Sequence, residues 1–81
     1  MNRRETFAAT YSQAFRDSYP QLDASKMQSL IEKATAKACE NIRAVIIDGA
    51  AFKLTAKRLG IKHTYKAFDA YLSGKADGWQ L

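Results

Sequence analysis

The sequence of 81 residues predicts a compact all-α domain of four helices, and two observations indicate this class. Apolar residues recur every three or four positions in four segments, which is the spacing of one face of an α-helix. Alternating apolar and polar residues, which would indicate strands, do not occur along the chain. The predicted helices cover about residues 3–18, 24–46, 49–59 and 64–73, with a tail at 74–81. A chain of this length is expected to form one domain with a single small core.

The first predicted helix begins after Asn2, which has the spacing of a capping box with Glu5. It ends before Pro20, because the residue that precedes a proline is displaced from the α region. The aromatic residues of this segment are expected to enter the core. They are Phe7, Tyr11, Phe15 and Tyr19.

The second predicted helix is the longest, and Asp23 is its expected N-cap. Its apolar positions step by three and four for more than twenty residues: Met27, Leu30, Ile31, Ala34, Ala38, Ile42 and Val45. The alanines would let another helix approach closely. That helix could belong to the same chain or to a second copy, and both alternatives remain open.

The third and fourth predicted helices are separated by a turn. Asp48 is the expected cap of the third helix, and Gly60 supplies a left-handed ending for it. The fourth helix runs from about Thr64 to Ser73 and ends at Gly74. Trp79 follows in the tail. An exposed indole is unfavourable, so we expect this ring to fold back onto the domain or to pack on a partner chain.

Nearly all of the net charge of +5 is concentrated in the last two predicted helices. Residues 49–75 contain six Lys or Arg and one acidic residue, whereas residues 1–48 contain seven and six. Such a concentration favours a surface that binds an anion, and a nucleic-acid backbone is the expected anion. An ordinary solvated helix face is the alternative interpretation.

Composition argues against several other classes of function. One His and one Cys, without metal-ligand spacing or a Gly-rich phosphate loop, predict no enzymatic activity, no metal site and no cofactor. The single cysteine, Cys39, lies in a helical pattern and is expected to be a small buried hydrophobe. No apolar run approaches the roughly 20 residues of a membrane span. No signal-peptide pattern is present either, so we expect a cytoplasmic protein without membrane contact.

The segment from Leu54 to Ile61 resembles the first half of a prokaryotic helix-turn-helix motif. Ala56 is the small residue at which two helices cross, and Gly60 makes the turn four residues later. Leu59 and Ile61 are the apolar residues beside that turn. The resemblance covers about 24 residues and implies that the third helix braces the DNA backbone while the fourth enters the major groove.

The second half of the segment departs from the motif. Lys62 stands where a capping residue is usual, and Lys66 and Asp69 stand at positions that are usually apolar. With Thr64 as the cap, apolar residues fall at the required four and seven positions further on, but the turn is then longer by about three residues. A plain helical hairpin is the alternative.

The resemblance implies a set of DNA-contacting residues. Phosphate contacts are expected from the bracing helix, and base or phosphate contacts from the turn and the start of the fourth helix. The set is Lys53, Lys57, Arg58, Lys62, His63, Thr64, Tyr65, Lys66 and Asp69.

The leading hypothesis is a small transcriptional regulator of the phage or plasmid type that binds double-stranded DNA. A homodimer is expected, on a palindrome with half-sites roughly 34 Å apart, joined through the second helix or the Trp79 tail. The alternative hypothesis is a small basic protein that modulates a host protein, such as RNA polymerase or a nucleic-acid-processing complex, with Trp79 as an anchor. RNA binding is less favoured, because no exposed aromatic cluster is evident.

Overall fold

The computed structural model describes residues 2–44, 47 and 49–81. Val45, Asp48 and the side chain of Cys39, which figure in the sequence-based predictions, lie outside that description. The described part of the chain contains no strand and folds into a compact domain, which confirms the all-α prediction. Its elements are α1 (Arg3–Ser18), α2 (Ala24–Glu40), a 3₁₀ turn (Ile42–Ala44), α3 (Ala50–Leu59) and α4 (Tyr65–Leu72).

Helix α1 has the predicted bounds because both of its ends are determined locally. The Asn2 side chain accepts a hydrogen bond from the backbone N–H of Glu5 at 2.8 Å, as expected of an N-cap. The helix ends at Ser18, two residues before Pro20. The aromatic face that α1 presents is therefore in the register that the sequence predicts.

The prediction for helix α2 is wrong at its C-terminal end, because the helix stops at Glu40 rather than near residue 46. Asn41 has an extended backbone, and its side chain accepts a hydrogen bond from the backbone N–H of Arg43 at 3.1 Å. Such a local side-chain bond competes with helical hydrogen bonding. The 3₁₀ turn that follows still buries Ile42, so the apolar spacing continues across a break in the helix.

The link between α3 and α4 comprises residues 60–64. Gly60 has φ +68° and ψ +35°, the predicted left-handed ending of α3. The Thr64 hydroxyl oxygen accepts a hydrogen bond from the backbone N–H of Ala67 at 3.1 Å and caps α4. Thr64 is therefore the cap, as the longer-turn interpretation requires.

Aromatic rings from three helices form the core. Phe7 of α1 is fully buried, with ring centroids 6.4 Å from Phe52 of α3 and 5.8 Å from Phe68 of α4. Phe52 and Phe68 lie 5.9 Å apart, and Tyr11 lies 4.6 Å from Phe52. Edge-to-face and tilted contacts of this kind stabilise more than burial alone. The core thus joins α3 and α4 to the same face of α1.

The tail folds back onto the domain, one of the two outcomes predicted for Trp79. The Trp79 ring packs edge-to-face on Tyr71 at 5.1 Å, and the Arg3 guanidinium lies within 5.3 Å of both ring centroids. Arg3 also donates to the carbonyl oxygens of Tyr71 (3.1 Å) and Lys75 (2.6 Å). We refer to Arg3, Tyr71, Lys75 and Trp79 as the Arg3 clamp.

Backbone hydrogen bonds tie the tail to the link. The N–H of Lys62 donates to the carbonyl of Trp79 at 2.7 Å, and the N–H of Leu81 donates to the carbonyl of Gly60 at 3.0 Å. These bonds flank an isolated antiparallel bridge between Ile61 and Gln80. Hydrogen bonds to the tail therefore fix the backbone of the link on either side of Ile61. No helix within the described residues is long and apolar enough to cross a lipid bilayer.

Replacing Arg3 with Ala is expected to lower the free energy of unfolding by about 1–3 kcal/mol, because two cation–π contacts and two hydrogen bonds are lost. Urea denaturation measures this loss. Lys33→Ala is the matched control, since Lys33 is an exposed cation on α2 and its removal should change stability by less than about 0.5 kcal/mol. Equal effects of the two substitutions would contradict a structural role for the clamp.

A second expectation concerns Tyr11, whose pKa is raised to about 12 by burial and, to a smaller extent, by Tyr19. In the unfolded chain a tyrosine ionises near pH 10, so stability is unaffected below that pH. Between about pH 10 and pH 12 the unfolded state loses its proton first, and stability falls. Tyr11→Phe removes this contribution. Urea titrations at pH 9, 10 and 11 should therefore show a shallower decline for the variant; parallel declines would contradict the assignment.

Candidate nucleic-acid interface

The predicted contact residues lie on α3, on the link and on α4. Seven of the nine are exposed, namely Lys53, Lys57, Arg58, Lys62, Thr64, Lys66 and Asp69. His63 and Tyr65 are only partly exposed. The structure therefore brings most of the predicted set to the outside of the α3–α4 pair. The surroundings of these residues differ from one element to the next.

Helix α3 separates its core face from its basic face. Ala51, Phe52 and Ala56 are buried, and so is Thr55, whose hydroxyl donates to the Ala51 carbonyl at 2.6 Å. Lys53 and Lys57 lie one turn apart on the outer face, on the same stripe as Ala50 and Leu54. Among the described residues neither lysine has an ion-pair partner. Both ammonium groups are thus available to an external anion.

Arg58 differs from these lysines because it is already paired. Its guanidinium donates to the Asp17 carboxylate of α1 at 2.6 Å, and Gln13 donates to the other carboxylate oxygen at 2.9 Å. The hydrogen bond from Arg58 is the largest of the effects that lower the pKa of Asp17. Only Nη2 of Arg58 makes this contact, so its other N–H donors could still reach a phosphate, but the nearby carboxylate weakens the attraction of Arg58 for an anion.

The link presents its residues unequally. Lys62 is exposed, although its backbone N–H is bonded to the tail. His63 packs edge-to-face on Phe68, with ring centroids 6.3 Å apart. Its Nε2 atom is buried and has no hydrogen-bond partner in the described part of the chain. This atom does not face solvent, although the residue as a whole is partly exposed, and the DNA contact expected of His63 stays a prediction.

Helix α4 buries Ala67, Phe68, Ala70 and Tyr71 and leaves the opposite face to solvent. That outer face carries Lys66 and Asp69. Tyr65, at the start of the helix, packs partly against the core. The outer face of α4 is therefore narrow and polar, with one lysine and one aspartate.

Asp69 has a distinct environment on α4. It lines a crevice of about 100 Å³ together with Arg4 and Arg43, where α4 meets the 3₁₀ turn and the start of α1. Glu40 lines the same crevice, so two arginine and two carboxylate side chains border it.

The residues that carry the resemblance to the first half of the motif lie at the end of α3 and the start of the link. Ala56 and Ile61 are buried, and Leu59 packs partly against the core. The five-residue link exceeds the three or four residues usual between the helices of such a motif. In addition, α3 makes its largest helix contact with α1, while α4 contacts α1 and the 3₁₀ turn. The helix pair is therefore organised around α1.

One feature of this region was not expected from the sequence. A shallow depression of about 340 Å³ lies between the end of α1 and α3, and its lining is almost entirely apolar. Ser18, Ala50, Lys53, Leu54 and Lys57 line it. The helical spacing of Ala50 and Leu54, which places them on one stripe of α3, was the sequence signal for this depression. The signal was not decisive, because an apolar residue such as Leu54 is equally suited to the core.

Comparisons with known proteins add no assignment to this geometry. No protein-family model, curated protein or solved structure was found to match the chain. The described residues contain no group of three or more His, Cys, Asp or Glu placed to hold a metal ion. The features of the described residues that bear on function are the charged and apolar surfaces of α3, the link and α4.

Arg58→Gln is expected to raise the pKa of the Asp17 carboxyl toward its ordinary value, because the principal hydrogen bond to the ionised form is lost. An NMR titration that follows the Asp17 side-chain carbon measures this directly. Lys57→Gln removes the same charge from the neighbouring residue without removing that bond and serves as the control. An equal change in both variants would mean that general charge, not the hydrogen bond, determines the Asp17 pKa.

Proposed function

We propose that this chain binds double-stranded DNA through α3, the link and α4, and acts in the cytoplasm as a small transcriptional regulator. The supporting observation is a set of four exposed lysines that have no ion-pair partner among the described residues. We call this set the basic surface; it consists of Lys53, Lys57, Lys62 and Lys66. The only acid in residues 49–75 is Asp69.

The proposed docking follows from the separation of core and solvent faces. Lys53 and Lys57 neutralise phosphates along α3, and each neutralised phosphate releases counterions from the duplex. The first turn of α4 presents Lys66 to the major groove, which is wide enough to admit an α-helix. The Thr64 hydroxyl, already an acceptor at the cap, retains a proton that it can donate to a phosphate or a base. Arg58 adds a weaker contact, because the Asp17 carboxylate already offsets part of its charge.

The proposed active form is a homodimer, since a single unit of this size covers about half of a usual operator. The Trp79 ring is engaged by Tyr71 and Arg3 of its own chain, so the tail is a poor candidate for the dimer contact. Helix α2 is the better candidate, because it packs on α1 and the 3₁₀ turn and leaves Leu30 46% exposed. The same engagement of Trp79 weakens the alternative in which this ring anchors a host protein.

The decisive experiment is selection of bound duplexes from a random double-stranded DNA library at near-physiological salt. An enriched palindrome supports the regulator and the dimer, and its spacing gives the separation of the half-sites. An enriched single half-site supports DNA binding and rejects the dimer. Absence of any enrichment and of retained duplex rejects the proposed function.

On an enriched duplex, Lys66→Glu is expected to weaken binding at least tenfold, because a phosphate or base contact is replaced by repulsion. The salt dependence, expected from about four to six neutralised phosphates, should become shallower by about one contact. Glu in the first turn of a helix is favourable, so α4 should remain folded. Arg16→Glu makes the same charge change at an exposed position of α1, outside the basic surface and the proposed dimer contact, and should leave affinity nearly unchanged. Equal losses in both variants would point to net charge and against the proposed docking.

A further inference from the structure

The depression beside α3 combines an apolar floor with two cationic groups. Ala50 and Leu54 come from one stripe of α3, and Ser18 closes the side formed by α1. Lys53 and Lys57 also line it, yet its lining is almost entirely apolar. Their methylene stems therefore form part of the wall, and their ammonium groups lie at its edge.

This combination fits a particular kind of partner. A small molecule in so shallow a depression would remain largely exposed, whereas small-molecule sites usually bury most of their ligand. A helix laid across an apolar groove instead contributes one or two apolar anchors and flanking charges. Lys53 and Lys57 are separated by one helical turn, about 6 Å along the axis. Carboxylates spaced three or four residues apart on a partner helix would match that separation.

We propose that this depression docks an acidic amphipathic helix of a partner protein. Its apolar side chains insert against Leu54 and Ala50, and its Asp or Glu side chains pair with Lys53 and Lys57. Charge complementarity selects this occupant, because neither lysine has an ion-pair partner among the described residues. If the proposed DNA binding holds, the same two lysines serve both ligands. The partner helix would then compete with DNA.

The test is a selection of random 16-residue peptides displayed on yeast, with the full chain as target, near-physiological salt and no DNA. The expected enriched peptides carry large apolar residues at spacings of three or four and an excess of Asp and Glu. On an enriched peptide, Leu54→Ser should weaken binding about tenfold through the lost apolar contact. The double substitution Lys53→Glu and Lys57→Glu should weaken it at least tenfold through charge repulsion.

Leu30→Ser and Lys33→Glu, introduced together on α2, make the same kinds of change at exposed positions away from the depression and should leave peptide binding unchanged. Circular dichroism checks that each variant keeps its helices. Amide NMR shifts of the unmodified chain provide a readout that needs no variant. An enriched peptide should shift the amides of Ser18, Ala50 and Leu54.

Three results would overturn the inference. The first is the absence of enriched peptides. The second is enrichment of peptides that bind the Leu54→Ser variant as tightly as the unmodified chain, or that shift amides away from the depression. The third is enrichment of acidic peptides without apolar positions, which would reduce the surface to a simple anion site of the kind that DNA requires. Because no DNA is present, these results do not bear on the proposed regulator, and failure of the duplex selection does not bear on the docked helix.

Discussion

The packing of Phe52 and Phe68 against Phe7 is the constraint on which the rest of the structure depends. Phe7 is fully buried in α1, and each of the other two rings contacts it and the other. Because one ring belongs to α3 and the other to α4, this triangle determines the rotation of both helices about their axes. The lysines on their opposite faces are consequently directed to solvent. The basic surface is thus a consequence of aromatic burial.

The outer face of α3 is costly to the folded chain. Lys53 and Lys57 are like charges one turn apart, which disfavours the helix by a few tenths of a kcal/mol. Leu54, beside them, contributes to an apolar surface that remains open to water. The Arg58–Asp17 pair offers little compensation, since solvent screens an exposed ion pair. A ligand that neutralises the two lysines and covers the apolar area would therefore stabilise this face of α3.

The features that the sequence predicts well are those determined by neighbouring residues. The bounds of α1 depend on Asn2 and Pro20, and the ending of α3 depends on the left-handed conformation of Gly60. The early end of α2 was missed because apolar spacing continues into the 3₁₀ turn after the helix has stopped. At the candidate site, exposure of the lysines follows from helical spacing. The pairing of Arg58 with Asp17 joins residues 41 positions apart and leaves no local signal.

The Arg3 clamp has a consequence for the order in which the chain acquires its structure. Arg3 and Lys75 are separated by 72 positions, so the clamp cannot close until nearly all of the described chain has left the ribosome. Contacts of such long sequence separation form slowly, because the intervening chain must first be ordered. The Arg3 side chain therefore waits for residues synthesised long after it, whereas the first turn of α1 is capped locally by Asn2. Until then, the Arg3 guanidinium and the carbonyl groups of Tyr71 and Lys75 remain hydrated.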